Sequence, residues 1–190
     1  MKKVALLNVF LFCVGIFCIK SSFAQKANKD GNNTLSNNTY EFSVMMRDSS
    51  IKTFKSKIYT NVELHRTYLI YQNDSLSKTD PSREQKIYPE QTLEANRVDG
   101  SYGTIVGVPT DSCWLFRVIR GKINAYAKLP EKKSLKAESI CAFQSGKTAI
   151  LKLTATELGR FVMDDEEAYT ALKKKNYLAA IQAYNKNIPQ

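Results

Sequence analysis

Residues Cys113 to Leu153 read CWLFRVIRGKINAYAKLPEKKSLKAESICAFQSGKTAILKL, two runs of strand-forming residues, each broken by one glycine-containing turn. Valine, isoleucine and the aromatics fit a pleated, half-buried surface, and the 3.6-residue apolar stripe that a helix needs is interrupted at Gly121 and its polar neighbours. The segment is therefore expected to form two successive β-hairpins. In the first, Ser112 to Leu129, Gly121 is read as the turn residue able to adopt positive φ, with Arg120 and Gly121 as the loop. That register sets Val118 opposite Ile123, Phe116 opposite Ala125 and Trp114 opposite Ala127, so large residues meet small ones across a wholly apolar face. Arg117 with Asn124 and Leu115 with Tyr126 make the wetter face. In the second, Ser139 to Leu153, Ser145-Gly146 is the turn signal. Ile140 and Ala142 then share a face with Ala149, Leu151 and Leu153, and Cys141, Phe143 and Ile150 take the other, which suits a central position. The linker LPEKKSLKAE is polar and basic and is expected to be an exposed connection.

Upstream, YEFSVMM (Tyr40 to Met46) and IKTFKSKIY (Ile51 to Tyr59) alternate as strands around a turn at Arg47 to Ser50. Further strands are expected at Tyr68 to Tyr71, Lys86 to Tyr88, Thr92 to Val98 and Thr104 to Val108, with SLSKTDPSREQ as a loop. Pro89 and Pro109 assign their neighbours to edges or strand ends, because proline offers the ladder no donor. After Leu153 the period changes. Thr154 or Thr156 can cap a short helix carrying Leu158, Phe161 and Val162, weakened by Gly159. A second helix begins near Asp165, with acids at Asp164 to Glu167 and lysines at Lys173 to Lys175, an order that complements the helix dipole. A third begins near Asn176 and sets Tyr177, Ile181, Tyr184 and Ile188 on one stripe. The fold class is thus α+β over residues 40 to 190. We expect an antiparallel sheet of about seven to nine strands, curved or partly closed, followed by two or three helices on one face.

At the N-terminus, Lys2 and Lys3 precede an apolar run from Val4 to Ile19, and Ser22-Phe23-Ala24 supplies the small residues of a cleavage site. This pattern predicts a signal peptide over residues 1 to 24, cleaved after Ala24, and hence an exported protein, periplasmic or secreted. Cys18 follows Ile16-Phe17 and does not fit a lipid-attachment site, so no membrane anchor is expected after cleavage. Loss of Lys2, Lys3 and Lys20 lowers the formal charge from +10 to +7. Such a surplus suits solubility or attraction to an anionic surface, and without arginine blocks or aromatic-basic alternation no nucleic acid partner is expected. Residues 25 to 39, nearly free of large apolar side chains, are expected to be a disordered leader. Sequons at Asn32, Asn37 and Asn73 are attributed to chance. A calcium loop centred on Gly31 fails, because Lys26 and Asn37 stand where carboxylates belong.

No group of residues carries a recognisable chemistry. Gly146-Lys147-Thr148 lacks the earlier glycine and the following helix of a phosphate loop. Cys113 or Cys141 could serve a Cys-His enzyme only with His65, the single histidine, and no sequence proximity joins them. One histidine and two mature cysteines without paired spacing make no metal site, and no cofactor or catalytic residue is assigned. Asp111-Ser112 reads as a turn, and Glu84, Glu90, Glu94 and Asp99 form no defined acid-base pair. The ten tyrosines would suit a carbohydrate surface or ordinary strand and helix cover. Cys113 and Cys141, left in an oxidising compartment, could form a disulfide or remain separate buried thiols.

The order of WLFRVIRGKINAYA, a second apolar hairpin and a helical tail ending NYLAAIQAYNKN resembles uncharacterised exported proteins of Bacteroidota-type bacteria, over roughly Trp114 to Asn187. The resemblance implies export and a β-then-α layout and transfers no catalytic residue. Tyr177, Ala180, Ile181 and Tyr184 are also similar to the second helix of a tetratricopeptide repeat, without a second copy. The expected function is a non-catalytic binding or interaction module at the cell envelope. Its partner would be an envelope protein or anionic surface, with Tyr177, Ile181 and Tyr184 as a candidate interaction surface. The alternative is a small envelope hydrolase with a cleft assembled from distant residues.

Overall fold

The structure, a computed structural model, describes residues 33–99, 103–131 and 135–186. The expected signal peptide, the first part of the expected leader and Ile188 lie outside the described residues. Among the described residues thirteen strands precede three helices, so the chain is α+β. The strands are β1 (Asn33–Thr34), β2 (Tyr40–Met46), β3 (Ile51–Ser56), β4 (Tyr59–Asn61), β5 (Arg66–Gln72), β6 (Glu84–Ile87) and β7 (Thr92–Asp99), then β8 (Gly103–Ile105), β9 (Gly107–Pro109), β10 (Trp114–Ile119), β11 (Ile123–Ala127), β12 (Ile140–Ser145) and β13 (Leu151–Lys152). The helices are α1 (Ala155–Val162), α2 (Glu166–Lys173) and α3 (Tyr177–Lys186). None of the described helices is long and apolar enough to cross a membrane.

The single sheet expected from the sequence is three antiparallel sheets, ordered β3-β2-β7-β8, β13-β12-β11-β10-β9 and β1-β4-β5-β6. None is closed. The reason lies in two strands that change sheets partway. IKTFKSKIY breaks at Lys57-Ile58, where Ser56 turns its hydroxyl to Lys57 O and accepts from Ile70 N, so β3 and β4 join different sheets. The run to Val108 breaks likewise at Val106, whose carbonyl accepts from Arg117 N at 2.8 Å, so β8 and β9 separate. The three sheets close on one core: Tyr40, Phe42 and Val44 from β2, Leu69 from β5, Ile87 from β6, Ala95 from β7, Ile105 from β8, and Trp114 and Phe116 from β10. Period-2 alternation selects these residues, as in β2, where Glu41 and Met45 face out while Tyr40, Phe42 and Val44 are buried. Trp114 Nε1 donates to Thr92 Oγ1 at 3.0 Å, which itself donates to Pro89 O at 2.8 Å, so the buried indole N–H is satisfied.

Both central hairpins form, in registers different from those expected. Phe116 pairs with Ala127 and Arg117 with Tyr126, and a bulge at Val118 brings Ile119 opposite Ala125. The apolar face survives this two-residue shift because 2 is the strand period: Trp114, Phe116, Ile123, Ala125 and Ala127 are all buried. A second bulge, at Cys141, sets Ala127 opposite Ile140 and Phe143 opposite both Ala125 and Leu151. Ile140 and Phe143 therefore share a face with Leu151, correcting the assignment of Phe143 to the opposite side. Gly121 is not in the left-handed region. It is glycine because a Cβ there would lie 2.4 Å from Asn185 Cγ. Asn185 in turn clasps β11, its Oδ1 accepting from Ile123 N and its Nδ2 donating to Ile123 O, both at 2.9 Å. Gly146, at φ +55°, is the hairpin glycine that needs positive φ.

The helices cap as the sequence suggests, Thr154 Oγ1 accepting from Glu157 N and Asp165 Oδ1 from Ala168 N. They cover β11 and β12 in a second core of Ile123, Ala125, Ile140, Phe143, Leu158, Val162, Leu172 and Ile181. At the other end of the chain, the last residues of the expected disordered leader are ordered. β1 pairs with β4, Thr34 is buried, and Leu35 N donates to Ile58 O at 2.9 Å. The linker between the hairpins is not wholly exposed either. Pro130 is buried, and Glu131 accepts hydrogen bonds from Tyr40 Oη and Asn38 Nδ2.

Candidate functional site

Two turns, 45 residues apart, build the site. β4 and β5 pair through Asn61 and Arg66, which leaves Val62 to His65 as a four-residue turn. Asn61 Oδ1 accepts from Leu64 N at 3.0 Å and Val62 O from His65 N at 3.4 Å. His65 closes the turn at φ +51°, a left-handed conformation that costs a side-chain-bearing residue of order 1 kcal/mol. Val62 and Leu64 at its tip are 54% and 53% exposed. The second turn joins β9 to β10. Thr110 Oγ1 donates to Cys113 O at 2.7 Å and accepts from Cys113 N at 3.1 Å, which folds Asp111 and Ser112 outward. Ser112 O then accepts from Thr67 N at 2.8 Å, and this bond fastens the two turns together.

The result is a cavity of about 340 Å³ lined by Leu35, Thr60, Val62, His65, Arg66, Thr67, Ser112, Cys113 and Lys128. His65, Ser112 and Cys113, flagged separately in the sequence, thus meet around one hollow. The volume is at the lower end of the usual range for small-ligand sites. Arg66, Lys128 and His65 supply its basic side, and none of the described residues that line it is acidic. Arg66 Nη1 lies 2.6 Å from Glu90 Oε1, a half-exposed pair that contributes little to stability but orients the guanidinium. Thr60 Oγ1 is sealed from solvent and has no hydrogen-bond partner. The Cys113 thiol lies 3.6 Å from Thr110 Oγ1.

The other candidates disperse. Cys113 and Cys141 are free thiols, lying at the start of β10 and within β12 with β11 between them. Two strand spacings, roughly 9.6 Å, exceed the Cα separation a disulfide spans. Cys141 Sγ donates to Tyr126 O, and burial pushes its thiol pKa up, the nearby Cys113 adding to the effect. The Tyr177, Ile181 and Tyr184 stripe is not an outward interaction surface. Ile181 is fully buried in the helical core, with Tyr177 and Tyr184 packed against it, because the same stripe is what holds α3 to the sheet. Gly146-Lys147-Thr148 sits in the β12–β13 turn with a strand, not a helix, after it. Glu84 receives a hydrogen bond from Gln72, Glu90 pairs with Arg66, and Glu94 accepts from Asn96, each in a different part of the sheets. Tyr40, Tyr68 and Tyr126 are buried, so these members of the tyrosine set are packing residues. The acids at the start of α2 serve as its cap and first turn.

The signal that sequence reading lacked was the Thr67–Ser112 bond, which has no local trace. The basic residues Arg66 and Lys128 were likewise not singled out, since each is an ordinary strand-end cation until the turns are brought together. No family model, curated protein or solved structure matches the chain.

Proposed function

We propose that this is an exported, non-catalytic binding module of the cell envelope, which meets its ligand or partner at the β4–β5 turn and the cavity beside it. The observation that carries this reading is the exposure of Val62 and Leu64 on a turn whose backbone is pinned by its own hydrogen bonds, next to a cavity of ligand size. Rigid loops on a sheet scaffold are where binding residues concentrate, and a pinned turn loses little entropy on binding. Export after cleavage behind Ala24 rests on the basic, apolar and small-residue order of residues 1 to 24.

The test is photo-crosslinking from intact cells with the crosslinker placed at Val62 or Leu64, against a control at Thr148 on the β12–β13 turn. Saturable, position-dependent capture at the first two supports the reading, and equal capture at all three sinks it. Mass spectrometry of the exported chain should find Gln25 as the first residue, and an intact leader would remove the export claim. A second reading, a small hydrolase, is favoured by the meeting of His65, Ser112 and Cys113 on one cavity. It requires ester or amide turnover that Ser112→Ala or Cys113→Ala abolishes while binding at the turn persists.

A further inference from the structure

The geometry points to a phosphate group, carried on a body with an apolar part, as the ligand of the cavity between the β4–β5 and β9–β10 turns. This rests on the reading of that cavity as the ligand site. Two observations select the charge. Among the described residues the lining holds Arg66, Lys128 and His65 and no acid, so an anion entering it meets attraction from these side chains. The nearest carboxylate contact, Glu90, engages one Arg66 nitrogen and leaves the rest of that guanidinium for another acceptor.

The number of donors separates phosphate from carboxylate. Lys128, Arg66, His65 and Ser112 are four side chains on one cavity able to donate. A carboxylate offers two oxygens, whereas a phosphate monoester offers three, each a strong acceptor, and lysine serves phosphate well as a point charge. The apolar part follows from Leu35 and Val62 in the lining and from Leu64, exposed at the turn tip. A volume of about 340 Å³ also exceeds what bare phosphate fills. The same chemistry belongs to a soluble phosphate ester and to the headgroup of a phosphomonoester lipid.

The experiment titrates the purified chain with phenyl phosphate, benzoate and benzyl alcohol while following backbone amides by NMR, and measures sedimentation with vesicles containing phosphatidic acid. Phenyl phosphate should bind saturably, shift the amides of Thr60, Val62, His65 to Thr67, Ser112 and Cys113, and weaken with added salt. Lys128→Gln should reduce the affinity about fivefold and Lys128→Glu more, the loss of roughly 1 kcal/mol expected for a half-solvated charge contact. Lys128 is exposed at the end of β11, so both variants keep the core intact. Vesicle binding lost in Lys128→Glu identifies the lipid source, and free-ester binding without vesicle binding identifies a soluble one. Equal affinity for benzoate overturns the phosphate assignment. Equal shifts with benzyl alcohol overturn the anion inference but keep the cavity as a ligand site. No shift of these amides with any probe overturns both, and unchanged affinity in the two Lys128 variants overturns the inference alone.

Discussion

Replacing Gly121 by alanine puts a methyl group where Asn185 already stands. The added Cβ would lie 2.4 to 2.6 Å from Asn185 Cγ, Nδ2 and Oδ1, well inside any tolerated contact. The side chain must withdraw, and with it go its two 2.9 Å bonds to the backbone of Ile123. Each contributes about 0.5–1.5 kcal/mol net, and the Ile123 groups left behind at the start of β11 are only partly rehydrated, so Gly121→Ala should cost about 2 kcal/mol. Asn185→Ala removes the same bonds and should cost about as much. In the Asn185→Ala background the three atoms nearest the new methyl are gone, so Gly121→Ala there should cost under about 0.5 kcal/mol, a coupling of about 1.5 kcal/mol. Urea unfolding followed by the fluorescence of Trp114, the one tryptophan, measures all four corners of this cycle. Additive losses would refute the argument, since they would mean that Gly121 is needed for its own backbone and not for the approach of α3.

Thr92→Val should cost about 1–3 kcal/mol despite conserving shape, because it strips the acceptor from the buried Trp114 indole, and the Trp114 emission should change with it. Gly107→Ala should be more damaging, about 3 kcal/mol by the same unfolding assay, since its Cβ would sit 2.4 Å from Ala95 O and 2.6 Å from the Phe116 ring with no mobile group to yield. Tyr40 is held at a pKa of about 12, raised from 10 by burial first and by its hydrogen bond to Glu131 second. A raised folded-state pKa means that the stabilisation is present in full below the unfolded value and is lost as pH climbs from 10 through 12. The stability difference between wild type and Tyr40→Phe should therefore shrink across that window, and a constant difference would contradict the assigned burial.

The α+β layout was legible because it rests on local periods. Tyr40, Phe42 and Val44 alternate into the core, and Thr154 and Asp165 announce their helices by capping chemistry. The bulges at Val118 and Cys141 were not legible, since each depends on how a neighbouring strand is paired: the two-residue shift between β10 and β11 keeps the same face apolar, whereas the extra residue at Cys141 moves Phe143 to the face of Ile140. Division into three sheets was hidden for a similar reason. Lys57-Ile58 looks like continued alternation, and only the bond from Ile70 N to Ser56 Oγ reveals a crossing point. At the site, His65, Ser112 and Cys113 were each visible as chemistry, while their meeting depended on Thr67 reaching Ser112. The α3 stripe shows the opposite error. An apolar helix face says that something will cover it, and here the cover is the chain's own sheet.

Placing Trp114 and Phe116 in the core of sheets that begin at β1 has a consequence for the order in which the chain can fold. A chain that emerges N-terminus first presents β1 through β9 first, yet Phe42, Ile58 and Leu69 lack Trp114 and Phe116 as packing partners until β10 follows. Long-range closure of this kind is slow and leaves unpaired edges waiting. A chain truncated before Trp114 should thus gain no stable intermediate structure, whereas one ending after Ala127 already holds the aromatic plug and lacks only the helical cover. The hairpin Cys113–Ala127 is in this sense a closing step, and the protease resistance of a growing polypeptide should first appear once it is complete.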